Sequence, residues 1–208
     1  MSKQDINCGF LITTPENNHW IDIAELIASS IPNALVSKLG PRFGALYYEN
    51  ISKHPQSCSY IVFDKTGRLA GIILGTLDYN ATSSLDFALK IKLFLAANLR
   101  LFSPTVFRWL LTGLRFRSTR KYHMKDFPKA QLRTIVVHED FRGNGLADKL
   151  INELESFFKK NNLESPYVIL TEKSNRGANN LYEKLGATLI KTYHYHDKTM
   201  NAWHKSLS

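Results

Sequence analysis

Ile135-Val-Val-His-Glu-Asp-Phe-Arg-Gly-Asn-Gly-Leu-Ala147 is the stretch on which the fold of this chain turns. An apolar strand-like run ends at Val137, a short polar turn follows, and Arg142–Lys160 reads as an amphipathic helix. Its apolar residues Ala147, Leu150, Ile151, Leu154, Phe157 and Phe158 recur at steps of three and four. Glycine beside a helix start lets the backbone approach a ligand closely and turns unpaired N–H groups toward an anion. Ala147 is small and keeps the first helical turn clear. Read from its residues, the loop is a cradle for a pyrophosphate.

Two other phosphate-binding patterns are excluded. A dinucleotide fingerprint needs a small residue three positions after Gly145, where this chain has Asp148, and further strand–helix units for which the tail is too short. A P-loop needs Gly-Lys-Ser/Thr, which occurs nowhere. Downstream, Asn175-Arg-Gly-Ala178-Asn-Asn-Leu181-Tyr182-Glu-Lys184-Leu-Gly186-Ala187 forms a second motif, one helix and one strand after the first. With Arg142, Gly145 and Ala147 in the order Arg-x-x-Gly-x-Ala, the pair resembles motifs A and B of the GNAT superfamily of acyl-CoA-dependent N-acyltransferases. The match covers roughly residues 131–190.

That resemblance implies an α/β (α+β) fold: a mixed, mostly antiparallel central sheet flanked by helices. It implies acetyl-CoA as donor and direct transfer to an amine in a ternary complex. Backbone N–H groups of Arg142, Gly143, Asn144, Gly145, Leu146 and Ala147 would hold the pyrophosphate. Ile135 and Val137 would offer backbone groups to the pantetheine arm, with the Val137 N–H near the thioester oxygen, where a fixed donor is worth roughly 3–4 kcal/mol. Tyr182 would protonate the departing thiolate, against the plainer reading of a core tyrosine. Asn175 would cap its helix and also bond the pantetheine or the acceptor.

The family often carries a glutamate on the strand leading into the first motif. Here that strand is Gln131-Leu-Arg-Thr-Ile-Val-Val137 and has no carboxylate. Glu172, His138 and His123 are the remaining candidates for a base. Neutralising a lysine-like amine at pH 7 costs about 4–5 kcal/mol, whereas a less basic amine loses its proton through water far more cheaply. The expected acceptor is therefore a primary amine of low basicity. Ile31–Phe43 resembles acyltransferases of bacterial surface-polysaccharide pathways, which implies an amino sugar of such a pathway as first choice, with a protein, peptide or small amine as the alternative. A non-catalytic CoA-binding or membrane-associated scaffold is the competing class. His194 and His196 share a strand face, with His204 expected opposite Lys191, and no metal site is expected.

At 208 residues, 44% hydrophobic and 22% charged, the chain suits one globular domain over 1–208. Cys8 and Cys58 are too few for a disulfide framework, and Met1–Phe10 has no apolar export core, so a cytoplasmic location is expected. The net charge of +9 concentrates between Leu85 and Lys125: nine basic residues against Asp86 give +8. This segment, about 83–125, reads as a helical insert; Phe87, Ile91, Phe94, Leu95 and Phe102 follow helical spacing, as do Phe107, Leu110, Leu111 and Leu114. No nucleic-acid reader motif accompanies it. Packing on the protein's own core, a homodimer contact and peripheral contact with the inner membrane surface are its three expected roles.

Overall fold

The computed structural model describes residues 9–82, 87–97, 127–195 and 198–207. Phe10–Thr13 (β1) leads through a short 3-10 turn to Trp20–Ser30 (α1), Leu35–Leu39 (α2) and Pro41–Ser52 (α3). The break between α2 and α3 falls at Gly40, whose φ of 95° no other residue adopts cheaply, and Pro41 starts α3 where its missing N–H is harmless. Ser57–Asp64 (β2) and Leu69–Thr76 (β3) form a hairpin. Asp64 Oδ1 accepts from the Thr66 hydroxyl at 2.7 Å and from the backbone N–H groups of Thr66 and Arg68 at 2.8 and 2.9 Å. These bonds, the hydroxyl's foremost, hold the Asp64 carboxyl below its ordinary value.

Tyr79–Thr82 (α4) and Phe87–Ala97 (α5) follow, then Gln131–Val137 (β4), Leu146–Lys160 (α6), Tyr167–Glu172 (β5), Arg176–Lys184 (α7), Thr188–Tyr195 (β6) and Lys198–Lys205 (β7). The strands form one sheet in the order β1-β2-β3-β4-β5-β7-β6, antiparallel throughout except between β4 and β5. That is the mixed, mostly antiparallel architecture expected. Alternation along β2, β3 and β4 divides the core in two. Val62, Ile73 and Leu132 pack under α6 with Leu150, Leu154 and Phe158, while Ile61, Ile72 and Val136 pack against Ile23 and Ile27 of α1 and Tyr48 of α3. Cys58 is buried in the first of these cores, and burial pushes its thiol up to about 12, so it is an inert apolar filler at neutral pH.

Helix α6 lies low on the sheet because β3 is cut away beneath it: a Cβ added at Gly75 would stand 2.2 Å from Leu154 Cδ1. The same helix carries a buried carboxylate. Glu155, 3% exposed, pairs with Lys205 at 3.0 Å and accepts from the Tyr167 hydroxyl at 2.9 Å. This clamp joins α6 to β5 and β7 at the far end of the sheet from the glycine loop.

Two expectations change. The helix expected from Arg142 starts at Leu146, because Gly143 and Gly145 take φ values of 82° and 68°, which cannot continue a right-handed helix. Pairing of β6 with β7 starts at Tyr195↔Lys198, two positions off the register that would set His204 opposite Lys191. His204 faces Thr188 instead of Lys191: pairing that starts at Tyr195↔Lys198 accounts for two of the three positions, and the register shift between Leu189 and Lys191 for the third. His123, His196 and the second apolar stripe, Phe107 to Leu114, lie outside the described residues.

Candidate functional site

Strands β4 and β5 pair only at Gln131↔Val168 and Leu132↔Ile169, and then diverge. Each remains bonded to its other neighbour, β4 to β3 up to Gly71↔Val137 and β5 to β7 up to Glu172↔Met200. The sheet therefore splits like a V within its plane. The split begins at a bulge: Leu74 pairs with Thr134 and Gly75 with Leu132, leaving Arg133 as the extra residue. A bulge bends its strand and increases its twist, which carries β4 away from β5.

Backbone bonding along an antiparallel ladder alternates. The His138 N–H donates to the Ala70 carbonyl at 2.9 Å, so the bonded positions on β4 include His138 and Val136. Ile135 and Val137 fall between them, and their N–H and C=O groups point into the split. Their side chains pack on the α6 side while Val136 packs on the α1 side, so neighbouring residues hold the strand from both faces.

At the open end of the V the chain passes through a 3-10 turn, Glu139–Phe141, to the glycine loop. The first intrahelical bond of α6 runs from the Lys149 N–H to the Gly145 carbonyl. The N–H groups of Leu146, Ala147 and Asp148 precede it and have no intrahelical acceptor, and no side chain caps the helix. A Cβ built at Gly143 or Gly145 meets nothing within 4 Å. The loop thus presents bare backbone to open space at a positive helix end, which fits a diphosphate.

The opposite wall is α7. Asn175 caps it, its Oδ1 accepting from the Ala178 N–H at 3.1 Å. Asn179 ties the helix down: its amide donates to the carbonyls of Glu172 and Asn175 at 3.0 and 2.7 Å, and its Oδ1 accepts from Asn201 and Trp203 at 3.0 and 3.1 Å. Gly186, with φ 74°, ends the segment in the usual stop position. Tyr182 is 5% exposed, and burial raises its hydroxyl above the ordinary tyrosine range.

Between these walls runs a cleft of about 1060 Å³, lined by Ile135, Val137, Arg142, Gly143, Gly145, Leu146, Ala147, Asn175 and Tyr182. Nearly every site residue singled out in the sequence thus meets in one place. Asn144 does not line it; its amide donates instead to the Phe141 carbonyl at 3.0 Å and braces the loop from outside. Arg142 Nε donates to the Val137 carbonyl at 3.3 Å, neither pairing with an acid of its own turn nor pointing freely outward. The cleft also takes in Ser30 and Ile31 from the end of α1 and Asn180 and Lys184 from α7, none of them expected. Asn180 and Lys184 follow from helical spacing: they lie three positions after Gly177 and Leu181, on the face that looks across the split. The end of α1 has no such local signal.

The two candidate bases among the described residues are engaged elsewhere. Glu172 bonds Lys198 across β5 and β7. His138 Nδ1 meets the Asp140 N–H at 3.3 Å and its Nε2 lies 3.1 Å from Arg68. Neither lines the cleft, whose one carboxylate among the described residues is Asp148, beside the glycine loop. His194 bonds the Thr199 hydroxyl at 3.3 Å. The buried Nε2 of His204 has no hydrogen-bond partner among the described residues, and desolvation lowers its pKa. Among the described residues no group of three His, Cys, Asp or Glu is placed to hold a metal ion.

Residues 20–187 match the Acetyltransferase (GNAT) family, and the chain belongs to that family. No curated protein matches it. Among solved structures, Ard1 from Thermoplasma volcanium is 13% identical, with a TM-score of 0.59, over 95% of this chain and 97% of the other. A mutant of the spermidine N-acetyltransferase SpeG from Vibrio cholerae is 14% identical, with a TM-score of 0.57, over 96% and 94%. The ribosomal-protein-S18-alanine N-acetyltransferase from Escherichia coli is 12% identical, with a TM-score of 0.53, over 96% and 94%. At these identities the likeness is one of fold.

Proposed function

We propose that this member of the acetyltransferase (GNAT) family moves an acetyl group from acetyl-CoA to a weakly basic primary amine, directly, with both substrates bound together. The observation that carries the proposal is the split between β4 and β5, into which Ile135 and Val137 aim backbone groups, in the same cleft that the glycine loop and Tyr182 line.

The N–H groups of Leu146, Ala147 and Asp148 receive the pyrophosphate of the donor. Ile135 and Val137 bond its amide-bearing arm in the manner of an added strand, which draws the thioester into the split. The Val137 N–H then stands beside the carbonyl oxygen and stabilises the negative charge that grows there as nitrogen attacks carbon. When the carbon–sulfur bond breaks, the Tyr182 hydroxyl meets the leaving sulfur and supplies a proton. With Glu172 and His138 engaged, water takes the proton lost by the amine. That route costs about 1 kcal/mol at pH 7 for an α-amino group and about 4–5 kcal/mol for a lysine-like one. The acceptor class proposed is accordingly an amino sugar or a peptide amino terminus, ahead of lysine side chains and polyamines.

A screen of amino-sugar nucleotides, peptides and polyamines, read by thiol release and by mass of the product, tests this. Thiol release with a weakly basic amine is the expected result. Polyamine turnover alone overturns the acceptor class, and no release with any amine overturns catalysis in favour of a donor-binding scaffold.

Gly145→Val tests the cradle separately. Its φ of 68° costs a β-branched residue about 1–2 kcal/mol, and the new side chain enters the space assigned to phosphate. Donor affinity by calorimetry should fall roughly a hundredfold, the loss of two hydrogen bonds to a charged group at about 1.5 kcal/mol each. Unchanged affinity in a folded variant would remove the assignment.

A further inference from the structure

Helix α5, Phe87–Ala97, turns Leu93 and Ala97, 4% and 0% exposed, into the body of the protein, where Ala97 clusters with Leu39, Leu35 and Phe43. At 100° per residue the side chains of Ile91 and Leu95 fall on the opposite side of the helix, and Phe94 on its flank. Ile91, Phe94 and Leu95 are 46%, 65% and 69% exposed, and no other large apolar side chains among the described residues are as open as Phe94 and Leu95. Lys90 and Lys92, both exposed, project about 100° to either side of this ridge. An ordinary surface helix places its charges at the centre of its outer face. Here apolar residues, Leu95 and Ile91, hold the centre of that face, with Lys92 on one side of it and Phe94 on the other.

We propose that this face of α5 docks on an anionic lipid surface, lying flat in the headgroup layer with Ile91, Phe94 and Leu95 inserted. Lys90 and Lys92 are placed to lay their hydrocarbon stems along the ridge and their ammonium groups among lipid phosphates. Charge complementarity selects this occupant. No acidic residue occurs anywhere between Asp86 and Asp126, and this stretch carries nine bases, so the chain around α5 repels cationic partners and attracts anionic ones. Eleven residues of helix span about 16 Å, far short of a bilayer, and no described helix is long and apolar enough to cross one. The contact is therefore superficial and reversible. It is independent of the acyl-transfer reading, since none of these five side chains lines the cleft.

Cosedimentation of the full chain with vesicles of phosphatidylcholine alone, or mixed with phosphatidylglycerol, tests the proposal. Binding is expected only to the anionic vesicles, weakened by salt. Lys90→Glu with Lys92→Glu should weaken it roughly thirtyfold or more. Phe94→Ser with Leu95→Ser should weaken it at least roughly tenfold. Both variants should keep donor affinity by calorimetry, which separates failure of docking from failure of folding. Equal binding to neutral vesicles, binding to neither, or full binding by the Phe94/Leu95 variant overturns the proposal. So does a wild-type dimer in sedimentation equilibrium that the Phe94/Leu95 variant dissolves, because a second copy would then cover the ridge.

Discussion

Tyr182→Phe should lower kcat about a hundredfold while leaving donor affinity within a factor of two or so, the pattern of losing a proton donor that acts at the transition state. The phenyl ring preserves the packing of Tyr182 among Ala178, Leu181 and Leu185, so melting temperature serves as the control. Burial keeps the hydroxyl protonated beyond the ordinary tyrosine range, which fixes the pH dependence. A raised value leaves the protonated form complete at neutral pH and removes it only when pH climbs past that raised value. The rate should consequently show no alkaline decline near pH 10 that vanishes in the phenylalanine variant. Unchanged turnover in Tyr182→Phe, with acetyl transfer measured directly by single-turnover mixing, would return the residue to a purely packing role.

Lys205→Met should be the most damaging single substitution for stability. The pair it forms with Glu155 is almost wholly out of water, and the substitution leaves the carboxylate buried without that cation. The expected cost is roughly 3–5 kcal/mol. At about 2–4 °C per kcal/mol for a chain of this size, the melting temperature should fall by roughly 10 °C or more. The double variant Glu155→Leu with Lys205→Met should recover most of the loss, since an apolar pair of similar volume has no charge to desolvate. A loss below about 1 kcal/mol in Lys205→Met would show that water reaches the pair, as at an exposed ion pair. Donor binding gives a second readout. The clamp lies at the end of α6 away from the glycine loop, so affinity should survive wherever the variant remains folded.

Much of the site was legible because it is built from short-range rules. The two glycines that close the loop, the asparagine that caps α7 and the glycine that stops it are each demanded by local backbone geometry. The buried stripe of α6 repeats with the helix, and one residue type at one spacing carries each feature. The same local reasoning placed the helix start too early. It weighed the apolar spacing from Ala147 onward and let the helix run back through Gly143 and Gly145, where positive φ forbids it. It also missed the register of His204, since neither the point where β6 and β7 start to pair nor the extra residue near Ile190 leaves a mark on an alternating pattern.

By itself the sequence determined the glycine loop, the capped α7 with Tyr182 on its inner face, and the apolar stripe that α6 buries. These follow from dihedral preference and from the helical period of 3.6, which are properties of neighbouring residues. Only the tertiary structure decided that β4 and β5 part after two paired positions, that the end of α1 reaches the cleft, that Glu155 meets Lys205 fifty residues away, and that the apolar ridge of α5 faces outward. Each depends on which strand lies beside which, in what register, and on where a bulge turns the backbone. Spacing along the chain carries no record of such distances, because they are settled when long-range packing selects one arrangement from many that local preferences allow equally.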